Sequence, residues 1–333
     1  MRPAEKAVED VELDPQARAF LDRLAAAGRP AISTLAPEDA RAANAALTRV
    51  CAGPELALRD VYDREIPGPR GPIGARVYVP VGLADGPAPA LVYYHGGGFV
   101  IGDLAMVDDA CRLLADRSAC IVISVDYRLA PEFPYPAPRD DAYAAFAHVV
   151  REAAAFGVDP ARVAVGGDSA GGTLATIVAL LARDRGEPQP AFQLLVYPGS
   201  DRDMTRPSMI AFGEGYLLTL EMMRWFHRQH CAEPALVPDP YLAPLDATDL
   251  RGLPPALVLT AGYDPLRDGG ELYAERMRAA GVPVESVRYG RMIHGFFAYP
   301  YVFDAAYEAI ERCALALARA LGVAAEGGSR PVG

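Results

Sequence analysis

The chain has 333 residues, 51% of them hydrophobic and 23% charged, which is long enough for one large α/β domain or two small ones and too apolar for disorder to be the default. Its formal net charge of −11 argues against nucleic acid or an anionic membrane as a partner. Residues 1–15 carry charges without an apolar core, so no signal peptide is expected, and no apolar run is long enough to suggest a membrane anchor. The cysteines (Cys51, Cys111, Cys120, Cys231, Cys313) lack Cys-x-x-Cys spacing. They point to reduced thiols in a cytoplasm and are all read as small buried side chains.

In chain order, Asp14 and Pro15 suit the N-cap and first turn of a helix over 14–28 that stops at Gly28, with Phe20, Leu21 and Leu24 on its apolar face. A second helix is expected over 37–50. Residues 59–66 alternate weakly, 67–74 form a turn cluster and 75–80 a strand, so this pair resembles an antiparallel hairpin at a sheet edge. A buried strand over 90–94 then runs directly into His95-Gly96-Gly97-Gly98-Phe99. Beyond it, helices over 106–117 and 140–156 alternate with strands over 120–125 and 162–165, and a buried helix starting at Thr173 precedes a strand over 191–197. The pattern resumes with strand 256–260, helix 267–280, strand 284–289 and helix 302–321. Repeated β-α units imply a mostly parallel sheet flanked by helices on both faces.

The stretch between Tyr197 and Pro255 is too long for a plain connection. Its helix over 219–230 carries Met222, Met223, Trp225 and Phe226 and reads as an insertion over the sheet's C-terminal edge. The expected division is cap helices over 1–55, a catalytic core over 56–200 and 240–322, a cap insertion over 201–239 and a loose tail over 323–333.

Between the strand at 162–165 and the helix at Thr173 lies Gly166-Gly167-Asp168-Ser169-Ala170-Gly171-Gly172, a strand-turn-helix with Gly-x-Ser-x-Gly at the bend. Gly167 and Gly171 leave room for a serine held in a strained conformation between closely packed elements. A serine nucleophile needs a base, and the base needs an orienting acid. Of the 5 histidines, His148 reads as a partly solvated helix residue and His95 opens the glycine run. His227 and His230 lie i, i+3 on the insertion helix without an acidic or cysteine partner at ligand spacing, so no metal is expected. Only His294, after the last strand, fits the order nucleophile, acid, base. Asp264 and Asp268 follow the penultimate strand. Asp264 stands at its exit, whereas Asp268, in the next helix's first turn, is more simply a dipole partner. Gly96, Gly97 and Gly98 offer unblocked amides for an oxyanion, and Ala170 adds the amide after the nucleophile.

With these segments and the run Asp126-Tyr127-Arg128-Leu129-Ala130-Pro131-Glu132, the chain resembles the bacterial hormone-sensitive lipase family (family IV) of α/β-hydrolase esterases. That resemblance implies an α/β-hydrolase fold with a helical cap, Ser169 as nucleophile, Asp264 as acid and His294 as base. It also implies an oxyanion hole of Gly97, Gly98 and Ala170, with His95 bracing the glycine loop and residues 127–132 forming a structural turn. The expected activity is hydrolysis of small carboxylic esters with short-to-medium acyl chains and no cofactor. Phe99, Met222, Met223, Trp225 and Phe226 are expected to line an apolar pocket. The last strand and terminal helix could pair two copies, as in some family members. An amidase, a formamidase or a deacetylase of one metabolite could use the same triad. A non-catalytic ligand-binding protein would be marked by loss of the triad histidine, and a membrane-associated lipase would need an anchor.

Overall fold

The computed structural model of the chain describes residues 11–83, 85–231 and 238–323. The expected loose tail beyond Val323, the first ten residues and residues 232–237 of the insertion lie outside them. Two helices come first, α1 (Pro15–Ala26) and α2 (Pro37–Cys51). The Asp14 carboxylate caps α1 by accepting the Gln16 N–H at 2.8 Å, and Pro15 occupies a position whose N–H would have no intrahelical acceptor.

The edge hairpin is β1 (Asp60–Gly68) and β2 (Gly71–Val79), and its turn is tighter than the expected 67–74, because Pro67 and Pro72 face each other within the ladder. Proline is tolerated there: β2 meets its other neighbour only over Gly74–Tyr78, so neither proline must donate to a second strand. There follow β3 (Ala88–Tyr94), α3 (Asp108–Ser118), β4 (Ile121–Asp126), α4 (Ala137–Arg151), α5 (Ala153–Phe156) and β5 (Val158–Asp168). The helix expected over 140–156 is thus split at Glu152. Next come α6 (Ala170–Arg185), β6 (Gln193–Val196), α7 (Pro207–Phe212) and α8 (Leu220–His230). The chain closes with β7 (Ala256–Tyr263), α9 (Arg267–Ala279), β8 (Val284–Ile293) and α10 (Asp304–Ala320).

The strands form one 8-stranded sheet in the order β1-β2-β4-β3-β5-β6-β7-β8. β1 and β2 are antiparallel to their neighbours, and every pair from β4 through β8 is parallel. Apolar layers cover both faces. Val92 and Tyr94 of β3 join Val165, Leu195 and Val258 under α4, α6 and α9, while Leu91 and Tyr93 join Leu194, Leu257 and Leu259 under α3 and α10. Strands buried on both faces read as unbroken apolar runs, which is why β3 and β7 show no polar alternation.

Two expectations need correction. His148 is buried, edge-on to Phe156 at 5.9 Å, and receives a hydrogen bond from Arg151 at 3.0 Å, because its helix face packs inward on β5 and α5. Cys231 is only half-buried at the end of α8, whereas the other four cysteines are buried.

Candidate active site

The parallel strands deliver their C-terminal ends to one rim. β3 and β5 are adjacent although β4 separates them in sequence, so the chain leaves β3 to one side and returns on the other. The crevice at such a reversal is where open α/β sheets bind ligands. The glycine loop leaves β3 there, and Ser169 leaves β5.

Ser169 has φ 54° and ψ −119°, a conformation costing a non-glycine residue about 1–3 kcal/mol. Its surroundings hold it. The Ser169 N–H donates to the Val196 carbonyl at 2.9 Å, and the Ser169 carbonyl accepts the Thr173 N–H at 3.0 Å, which starts α6. A Cβ on Gly171 would overlap the Tyr94 carbonyl, so only glycine lets α6 lie against the end of β3. Gly167 meets the same carbonyl.

His294 follows β8 and Asp264 follows β7. His294 Nε2 lies 2.9 Å from Ser169 Oγ, and His294 Nδ1 lies 2.7 Å from Asp264 Oδ2. Asp264 is wholly buried, and its other oxygen accepts the Leu266 N–H at 2.8 Å. A buried carboxylate acceptor places a proton on Nδ1, leaving the Nε2 lone pair to accept the serine O–H. Asp268 faces away, accepting the Ser208 N–H at 2.8 Å and the Arg267 guanidinium at 2.9 Å.

Gly97 has φ 110°, and a Cβ there would strike the Ile101 carbonyl. Among the described residues, the Gly97 and Gly98 N–H groups donate to no protein acceptor, and the Ala170 N–H opens α6, where the first turn has no intrahelical acceptor. Beneath the loop, Asp168 Oδ1 accepts the Tyr93 hydroxyl at 3.0 Å and the Gly96 N–H at 3.1 Å. Burial pushes the Asp168 carboxyl up to about 6, with the Tyr93 hydrogen bond and charge on His294 pulling the other way. His95 is fully buried, stacked on Tyr127 at 4.3 Å with Nδ1 2.7 Å from the Gly96 carbonyl, and the Tyr127 hydroxyl donates to the His95 carbonyl at 2.7 Å. Burial lowers the His95 pKa, which keeps it neutral and suits a brace.

Two cavities flank the serine. The first, about 290 Å³, borders Ser169, His294 and Met222 and reaches Leu24 and Leu47 of the N-terminal helices. The second, about 280 Å³, borders Ala170, Thr173, Phe99, Met223 and His230. Ser169, Gly98, Leu218 and Phe226 border both, and the Phe226 ring sits directly on Gly98. Trp225 borders neither cavity. It packs edge-to-face on Phe226 at 5.2 Å and clusters with Ala40, Val100 and Ile101, because the helical repeat turns it toward α2.

Sequence reasoning missed two residues. Tyr197, at φ 33°, sets its ring 4.6 Å from the His294 imidazole, and an aromatic directly after β6 was the available signal. Arg41 of α2 donates to the Val100 and Ala130 carbonyls, each at 2.8 Å, and to Glu132. A lone arginine on an amphipathic helix carried no such signal. Among the described residues no group of three potential ligands could hold a metal, and no helix is long and apolar enough to cross a membrane.

A family model described as the alpha/beta hydrolase fold matches residues 91–298. The chain is 40% identical over 324 residues to the carboxylesterase NlhH of Mycobacterium tuberculosis (strain ATCC 25618 / H37Rv), covering 95% of this chain and 99% of that protein. It is 48% identical over 268 residues to the carboxylic ester hydrolase LipN of the same organism, covering 78% of this chain and 70% of that protein. The solved ester-hydrolase EH1AB1, from the metagenome of Lake Arreo, superposes with a TM-score of 0.91 at 45% identity, covering 93% of this chain and 100% of that one. The chain therefore belongs to the α/β-hydrolase fold family, in its hormone-sensitive-lipase-like branch, and is a carboxylic ester hydrolase.

Proposed function

We propose that hydrolysis runs through an acyl-enzyme on Ser169. Ser169 Oγ attacks the ester carbonyl while His294 Nε2 takes its proton, with Asp264 holding the imidazole through Nδ1–H. The carbonyl oxygen becomes an oxyanion facing the N–H groups of Gly97, Gly98 and Ala170. His294 then returns the proton to the departing alkoxide as the C–O bond breaks. In the second half, water loses a proton to His294, attacks the acyl-enzyme, and Ser169 leaves reprotonated. The unbroken hydrogen-bonded line from Asp264 through His294 to Ser169 carries this reading.

The leaving alkoxide must reach the proton on His294, and only the first cavity borders His294. The alcohol half therefore belongs there and the acyl half in the second cavity, whose size suits short-to-medium chains. α1 and α2 serve as the cap over the first cavity, and the described part of the 201–239 insertion serves as the cap over both. A reducing compartment such as the cytoplasm suits five cysteines that form no disulfide. Open edge strand β8, beside α10 with Leu315 exposed, supports pairing of two copies, which sedimentation would test.

Initial rates on p-nitrophenyl esters from acetate to palmitate are expected to peak at short-to-medium chains. Ser169→Ala should lower kcat by roughly 10⁴–10⁶. A flat, equally weak series in both proteins would overturn the mechanism.

A further inference from the structure

Among the polar side chains that border the second cavity and stay out of the mechanism, one is buried and has no hydrogen-bond partner among the described residues. His230 closes α8, is 5% exposed, and is clamped between Phe99, stacked at 4.1 Å, and Tyr135, edge-on at 5.9 Å. Its carbonyl accepts the Tyr135 N–H at 2.8 Å, so the backbone is held as well as the ring. Three other polar groups of this wall are engaged: Thr173 donates to the Gly199 carbonyl, Arg202 pairs with Asp246, and Asp201 pairs with Arg206. His227, one turn earlier, also borders the cavity and its ring makes no hydrogen bond among the described residues, but it is only half-buried and no neighbouring ring clamps it.

His230 has no such partner. Its Nδ1 is buried without a hydrogen bond, and among the described residues Nε2 makes none either while remaining the accessible ring nitrogen of a residue bordering the cavity. Burial lowers its pKa to about 3, so the ring is neutral at ordinary pH. A neutral imidazole carries one N–H. An orphaned buried donor is rarer in proteins than an orphaned acceptor, so the proton belongs on Nε2 and the bare lone pair on Nδ1. The cavity wall, otherwise made largely of Phe99, Met204, Leu218, Met223 and Phe226, thus offers one buried, ring-clamped hydrogen-bond donor, beside the half-buried imidazole of His227.

We propose that His230 Nε2–H reads an acceptor oxygen on the acyl chain, making this enzyme selective for esters of oxygenated short acids, such as oxo acids, over plain fatty acyl esters. The proposal rests on the acyl half occupying the second cavity. A wall of apolar groups with one buried donor discriminates well, because a chain lacking the oxygen leaves that donor unpaired.

The test compares kcat/KM for p-nitrophenyl 4-oxopentanoate and 5-oxohexanoate with pentanoate and hexanoate, in the native chain, His230→Phe and His230→Gln. Taking the oxo-to-plain ratio cancels any general loss from misfolding. The ratio is expected to fall about tenfold in His230→Phe and to be largely kept in His230→Gln, whose amide can still donate. An unchanged ratio in His230→Phe overturns the proposal. So does a His230-dependent preference that appears only when the oxygen is moved to the alcohol half, as in methoxyethyl against butyl pentanoate. No turnover of any ester by the native chain would instead overturn the acyl-enzyme reading, a separate outcome.

Discussion

Beneath the nucleophile, Asp168, Tyr93, His95 and Tyr127 are all buried and hydrogen-bonded into one network with the glycine loop, whereas above it α8 buries only Trp225, Phe226 and His230 of its 11 residues. The lower region is anchored on β3, β4 and β5 and admits little change in volume or charge. The upper region rests on side-chain packing and on Arg41, which reaches down from α2 to the loop. Groups that must meet reacting atoms within a fraction of an ångström belong on the rigid part, and groups that choose among substrates can sit on the more adaptable one.

The contrast can be broken from below with the largest effect. Gly171→Ala puts a methyl into the Tyr94 carbonyl, which backbone on both sides prevents from yielding. It should lower stability by about 3 kcal/mol or more and abolish turnover, as read by thermal unfolding alongside rates. Retention of native Tm would show the lower region to be softer than described.

Asp168 gives a more moderate effect with a definite sign. Its folded pKa of about 6 lies above the unfolded carboxylate value of about 3.9, so the folded state binds its proton more tightly. The stability this contributes is fully present below about pH 4 and is lost as pH rises through about 6, a fall of order 2–3 kcal/mol. Asp168→Asn should remove that fall. Urea midpoints at pH 4.5 and 7 capture about two-thirds of it, and an equal pH dependence in both proteins would contradict the assignment.

The smallest effect comes from above. Arg41 is partly exposed, so its ion pair with Glu132 is screened and its carbonyl contacts matter more. Arg41→Ala should raise KM roughly two- to fivefold with a lesser change in kcat, since it loosens the cap without touching the triad. A kcat loss exceeding the KM change would mean that the cap also positions the glycine loop.

What could be read from the chain divides along the same line. Ser169 and Asp264 stand just past apolar strands and His294 just past the last, more polar one, so local pattern and chain order were enough to bring them together. The glycines beside them were legible because only one residue type tolerates such close approach. The cap was not. Met222, Met223, Trp225 and Phe226 are equally apolar neighbours on one helix, and which of them faces a cavity depends on how α8 rotates against α2. Nor could the pairing of Tyr93 with Asp168 be seen, since it joins residues 75 positions apart whose sequence surroundings mark neither as polar partners.

With the Phe226 ring seated on Gly98 and Ser169 bordering both cavities, the proposed assignment puts the two halves of an ester in separate rooms that meet at the nucleophile. Once the first product departs, its room stands vacant while the acyl group stays bound next door. A second alcohol can then enter and compete with water for the same carbonyl. At a given alcohol concentration, partition between hydrolysis and alcoholysis then follows the shape of the vacated room, and substitutions at Met222 or Leu217, which line it and not the second cavity, are expected to shift that partition without altering which acid is accepted.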